Sequence, residues 1–186
     1  MMLEHFQALV EQHQDRVFTL SCYLLGDREE AADATQEVLL RLWRNLASLH
    51  EAGANGDGDG GGSVAAWLTR VTRNYCFDQL RKRRSQKNAL GEEQEPEVFD
   101  LTAGDDPGPE HRASASDLGR HLRRAIRELN EPYRSVLILR EVQEMKYKEI
   151  SEALEMPINT VKVNIHRGRR MLRDRLRGVM GHAAAC

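Results

Sequence analysis

Residues Lys146–Gly178 read KYKEISEALEMPINTVKVNIHRGRRMLRDRLRG: a short amphipathic segment, a break at Glu155-Met156-Pro157, and a longer basic segment. Short helix, tight turn and longer helix is the order of a helix-turn-helix. In the first segment Ile150 and Leu154 share an inward face, and Ala153 is small enough for a close helix crossing. In the second, Val161, Ile165, Leu172 and Leu176 make one apolar stripe. Lys162, His166, Arg169, Arg173 and Arg177 repeat with the same period, one residue on and about 100° round the helix. One face therefore packs while its neighbour presents cations. Set in a major groove, the start of this helix puts Lys162, Asn164, His166 and Arg167 near base edges and phosphates. The pattern alone also fits a solvated arginine-rich face or an RNA-binding patch.

Working upstream, charge organises the chain more sharply than its net −2 suggests. Residues 1–66 carry −7, 67–90 carry +6, 91–119 carry −8 and 120–186 carry +7. Two basic segments separated by acidic ones suit two contacts with a polyanion. The 186 residues suffice for one domain or two small ones, and 30% charged residues with few aromatics suit small helical bundles. No apolar run approaches a membrane span, and the start, MMLEHFQALVEQHQ, is unlike a signal peptide. Cys22, Cys76 and Cys186 are scattered, which fits a reducing cytoplasm.

The first half predicts three helices. Residues 3–25 bring Phe6, Leu9, Val10, Val17, Leu20 and Leu24 to helical spacing before Gly26. Asp27 with Glu30 three residues on looks like a capping box, and Val38, Leu39, Leu42, Leu46 and Leu49 then share a face. A glycine run, GANGDGDGGGS (Gly53–Ser63), precedes a third helix that Ser63 can cap. The run is no P-loop, for it lacks the GK[ST] ending and a preceding strand. Residues 86–116 are acidic, with Pro96 and DDPGPE and no apolar period, and read as a linker. Helices then resume, with Asn130 as a cap and Pro132 in the first turn of EPYRSVLILREVQ. The expected architecture is all-α: an N-terminal bundle over 1–88, an acidic flexible linker over 89–116, and a helix-turn-helix bundle over 117–180.

The stretch LNEPYRSVLILREVQEMKYKEISEALEMPINTVKVNIHRGRRMLRDRL resembles, over about fifty residues in order, the promoter −35 reading domain of sigma-70 family factors. It is most similar to their small extracytoplasmic-function (ECF) group. Upstream, DATQEVLLRLWRNL followed by WLTRVTRNYCFDQLRKRRS resembles the second module of such factors. The resemblance implies that the first of these helices docks on the clamp coiled coil of RNA polymerase through Asp33, Gln36, Glu37, Leu40 and Arg44. Those residues lie at i, +3, +4, +7 and +11, a polar stripe with an exposed apolar centre that suits a helix-to-helix interface, or else an ordinary solvated face.

The resemblance further implies −10 DNA contacts from Arg70, Arg73, Asn74, Arg81, Arg83 and Arg84; Asp78, by its place among them, is read as orienting neighbouring arginines rather than touching DNA. Clustered guanidiniums bind phosphates, and their planes stack on unpaired bases. By the same likeness the glycine run lies where the family captures a flipped base, so Asn55 and Ser63 join the −10 set. The −35 set is Lys162, Val163, Asn164, His166, Arg167 and Arg170. Val163 and Asn164 stand where relatives often carry Ser and Arg, so a thymine methyl and an adenine become candidate contacts. Implied partners are core polymerase (clamp and flap), promoter DNA and an anti-sigma factor.

An enzyme is the first rival. The seven histidines are dispersed, no HExxH, GxSxG or paired-Cys motif occurs, and no cofactor or metal is implied. His182 with Cys186 makes at most half a metal site. A dimerising helix-turn-helix regulator is the closer rival, since the second half alone permits it. Such a regulator has no need of a separate basic strand-opening helix. Phe77, Trp67 and Cys76 are read as core rather than as stacking or redox groups.

Overall fold

Leucine and valine at helical spacing along the first 25 residues form helix α1 (Met2–Leu25). A computed structural model supplies the coordinates and describes residues 2–51, 64–90, 119 and 121–183, except for the side chains of 87, 89, 90 and 178–183. Gly26 ends α1 at φ 75°, and its N–H donates to the Cys22 carbonyl at 2.9 Å. A left-handed residue at this point closes the last turn without a Cβ penalty.

Helix α2 (Arg28–Glu51) starts as its sequence requires, the Asp27 carboxylate accepting from the Glu30 N–H at 2.8 Å. Only half of the expected capping box forms, because the Glu30 carboxylate pairs instead with Arg83 of helix α3 (Val64–Leu90). Helices α1, α2 and α3 enclose Leu9, Val17, Val38, Leu42, Leu46, Val64 and Leu68. Trp67 packs partly buried against that core, and Phe77 against the neighbouring one, as their core reading required.

The second half is built from a helical stretch over 121–127 (α4), α5 (Tyr133–Leu137), α6 (Tyr147–Ala153) and α7 (Ile158–Ala183). The single helix expected from EPYRSVLILREVQ is α5 followed by a π-helical turn, Ile138–Val142, in which the Gln143 N–H reaches back to the Ile138 carbonyl at 3.1 Å. Asn130 does not cap it with its side chain; it offers only its carbonyl, to the Arg134 N–H at 3.2 Å. Glu149 does cap α6, accepting from the Lys146 N–H at 2.6 Å. Helix α7 runs on past Gly178 to Ala183; one helical glycine costs only about 1 kcal/mol.

Leu129, Val136, Leu137, Ile138, Leu139, Met145, Ile150, Val161 and Ile165 are all buried in this half. Each of the larger side chains contributes about 1.5–3 kcal/mol by leaving water. Gly168 sets the crossing of α7 on α5: a Cβ there would lie 3.1 Å from the Leu137 side chain. The two halves also share a core. Leu20, Leu24, Ala66 and Cys76 from the first bundle join Ile126, Val136 and Ile150 from the second in one apolar cluster. Alternating charge blocks give no hint of that seam.

Candidate nucleic-acid interface

The turn between α6 and α7 decides how the basic helix is presented. Glu155 takes the left-handed conformation, φ 51°, where a glycine would be unstrained. Ser151 Oγ donates to the Met156 carbonyl at 2.5 Å and fixes the turn. Helix α7 then buries Val161, Asn164, Ile165 and Gly168, positions i, i+3, i+4 and i+7 of one face. Lys162, Val163, His166, Arg167 and Arg170 stand exposed on the opposite side, as the −35 set requires. Among the described residues, no carboxylate pairs with Lys162, Arg167 or Arg170.

Asn164 is a correction to that set. It is 7% exposed, and its amide nitrogen lies 3.3 Å from the Met156 sulfur, so it holds the turn rather than reaching bases. The i+3 position after Val161 in the buried stripe already carried the signal. Ile158, 40% exposed one turn before Lys162, lies outside the sequence-derived set.

On α3 the candidate residues meet different neighbours. Asn74 and Arg84 are exposed. Arg81 pairs with Asp78, the orienting role read from the sequence, and Arg83 with Glu30. Arg70 and Arg73 instead point at the second bundle. Arg70 pairs with Glu155 at 2.5 Å. Arg73 donates from Nε to Ser135 Oγ at 3.0 Å and from a terminal nitrogen to Glu131 at 3.3 Å, with its guanidinium 4.8 Å from the Phe77 ring centre. Ser135 completes the group by donating to Glu131 at 2.6 Å. The other Glu131 oxygen accepts no hydrogen bond and has Arg134 Nε 3.9 Å away. Asn55 and Ser63 lie outside the described residues, as do the glycine run, the linker and Cys186.

The α2 stripe is intact. Asp33, Gln36, Leu40 and Arg44 are exposed, Leu40 by 49%, and Glu37 accepts from Arg41 Nε at 2.9 Å. Trp43, 42% exposed and in a T-shaped contact with Phe6, adds apolar area that the stripe had omitted. Burial pushes the Cys22 thiol up to about 11 and the Cys76 thiol up to about 12, so neither is a ready nucleophile or redox group. Among the described residues, no group of three His, Cys, Asp or Glu side chains is placed to hold a metal ion, and no helix is long and apolar enough to cross a membrane.

Residues 9–86 match the family described as Sigma-70 region 2, and residues 120–172 match Sigma-70, region 4. The ECF RNA polymerase sigma factor SigE of Mycolicibacterium smegmatis is 35% identical over 169 residues, covering 90% of this chain and 60% of that protein. The ECF RNA polymerase sigma factor SigW of Bacillus subtilis is 30% identical over 175 residues, covering 92% of this chain and 89% of SigW. In fold, the chain is similar to the sigma factor RpoE of Bartonella quintana, solved in complex with the anti-sigma factor NepR. The TM-score is 0.70 at 21% identity, over 94% of this chain and 98% of that one.

Proposed function

The chain belongs to the ECF group of the sigma-70 family, and from that premise we propose that it binds core RNA polymerase, recognises −35 and −10 promoter elements and promotes strand opening. The family is one of transcription regulators rather than enzymes. Residues 1–88 serve as the core- and −10-binding domain, 89–116 as a tether, and 117–180 as the −35-binding domain, a division supported by the two matched regions. A reducing cytoplasm is its place of work.

One observation carries this reading: two separate exposed faces, a cationic one on α7 and a polar one with an apolar centre on α2. Lys162, Arg167 and Arg170 neutralise phosphates or reach guanines, while Val163 meets a thymine methyl. Asp33, Gln36, Glu37, Leu40 and Arg44 grip the polymerase clamp, a surface desolvated at its middle and polar at its rim. Arginines of α3 hold the −10 strand once it is unpaired. An anti-sigma factor controls the chain, a reading supported by the similar fold of RpoE, which was solved in complex with the anti-sigma factor NepR.

Run-off transcription with purified core enzyme on a randomised promoter library tests the proposal. Addition of the chain yields transcripts enriched in one paired −35 and −10 motif. Arg167→Ala lowers −35-dependent initiation about tenfold, and Glu37→Ala weakens core binding without altering the motif. Equal loss of core affinity in both variants contradicts the division of labour.

A further inference from the structure

Burial fixes which way α7 looks. Val161, Asn164, Ile165 and Gly168 face the bundle, so the line of the helix opposite them carries Asn159, Val163, His166 and Arg170, at i, i+4, i+7 and i+11. All four are exposed. Asn159 is absent from the −35 set read in the sequence, yet it leads this row from the first turn of the helix, one residue after Ile158. Residues at the start of a recognition helix are the ones that reach base edges in the major groove. Among the described residues, the Asn159 side chain has no hydrogen-bond partner. Asn164, by contrast, keeps its amide nitrogen 3.3 Å from the Met156 sulfur, turned away from that face.

Resting on the sigma-factor reading, we propose that Asn159 is a specificity-determining residue of the −35 interface and that it reads an adenine. The other side chains of the row cannot do so as well. Arg170 only donates, Val163 does neither, and a neutral His166 carries its donor and acceptor on opposite sides of the ring. Asn159 presents donor and acceptor side by side, the complement of adenine N7 and the adenine amino group. A guanine is refused, because either orientation of the amide sets its oxygen against a guanine acceptor, N7 or O6. The side chain is short and uncharged, so phosphates do not draw it to the groove wall. Val163, 46% exposed, follows four residues on. That is about 6 Å along the axis, close to two base-pair steps of about 3.4 Å each. Its methyls meet a thymine methyl there, so the two residues read A·T pairs by different means, one by hydrogen bonds and one by apolar contact.

The test has two arms, both on the full chain with core polymerase. In the first, wild type and Asn159→Ala drive run-off transcription from a promoter library randomised across the −35 element. Position 159 is exposed and alanine is the better helix former, so the variant folds. Wild type enriches a −35 motif containing an adenine that Asn159→Ala no longer selects. Discrimination at that one base pair falls about tenfold while the rest of the motif persists. In the second arm the selected adenine is replaced by 7-deazaadenine, which removes only the N7 acceptor. Wild type then loses about fivefold in initiation, and Asn159→Ala changes by less than about twofold. Retention of every base preference by Asn159→Ala overturns the proposal, and so does an even fall across all sequences, the mark of a lost phosphate contact. An equal response of both chains to 7-deazaadenine overturns it too. A wild type that yields no transcript from any library member instead refutes the sigma-factor reading, and selection of duplexes from the same library by the free chain then decides the role of Asn159.

Discussion

Helices α3 and α7 each carry seven Lys or Arg and one Asp, yet their surroundings set those charges to different uses. On α7 the carboxylate partners, Glu141 for Arg169 and Glu128 for Arg175, sit beside the middle and later turns, and Lys162 and Arg167 of the earlier turns stand exposed. On α3, Glu30, Glu131 and Glu155 reach across from other elements and engage Arg83, Arg73 and Arg70. Composition thus states how much cation a helix has, and the neighbouring acids decide how much of it is available. Polyanion affinity follows the available fraction, since only unpaired cations release counterions from the ligand.

The largest expected effect removes the platform of one helix and spares the other. Leu137 is fully buried where α5 meets Gly168 of α7. Leu137→Ala should cost about 3 kcal/mol, within the range for buried leucines, as read by urea unfolding. Duplex binding through α7 should fall with it, and single-strand binding through α3 should not. A smaller effect separates the partners at the seam. Arg73→Ala leaves Glu131, itself mostly buried, short of a cation, which should cost about 1 kcal/mol. Unfolding of the second bundle, followed by hydrogen exchange, should then come earlier than that of the first.

Acidity probes the seam more gently. His13 is buried against Thr69 and Thr72 of α3, with Arg16 and Gln143 alongside a void of about 10 Å³. Burial, then the nearby Arg16 charge, lowers its pKa below 6.5. Between that lowered value and 6.5 the unfolded chain binds more protons than the folded one. Stability should therefore be full above pH 6.5 and decline as the pH falls through it toward the lowered value. His13→Gln should flatten this dependence in thermal melts at a series of pH values. The smallest effect sharpens the role of Glu155. Glu155→Gly relieves a left-handed residue, worth about 1 kcal/mol, and gives up an exposed ion pair worth about 0–1 kcal/mol. Stability should be almost unchanged while the α3 arginine is freed.

Much of the fold could be read in advance. Gly26 and Asp27 announced the first turn between helices, and the stripe of Val161 and Ile165 oriented α7 correctly. The α2 stripe and the exposed cations of α7 were legible because one helical period fixes both faces at once. Asn164 was misread because polarity was allowed to outweigh its place in that period. The seam was not legible at all. Glu131, Ser135, Gln143 and Glu155 lie some 60 to 130 residues from their partners, and no local pattern encodes such pairs. The π-helical turn is similarly silent, for it trades one hydrogen-bond register for another within an unchanged apolar run.

Footprinting a single promoter with the free chain and with the chain on core polymerase tests the central claim most directly, with permanganate marking unpaired thymines. The account predicts that the free chain protects at most the −35 duplex, and that core enzyme adds protection and thymine reactivity at −10. Strong protection of one operator by the free chain, with nothing gained from polymerase, would contradict it.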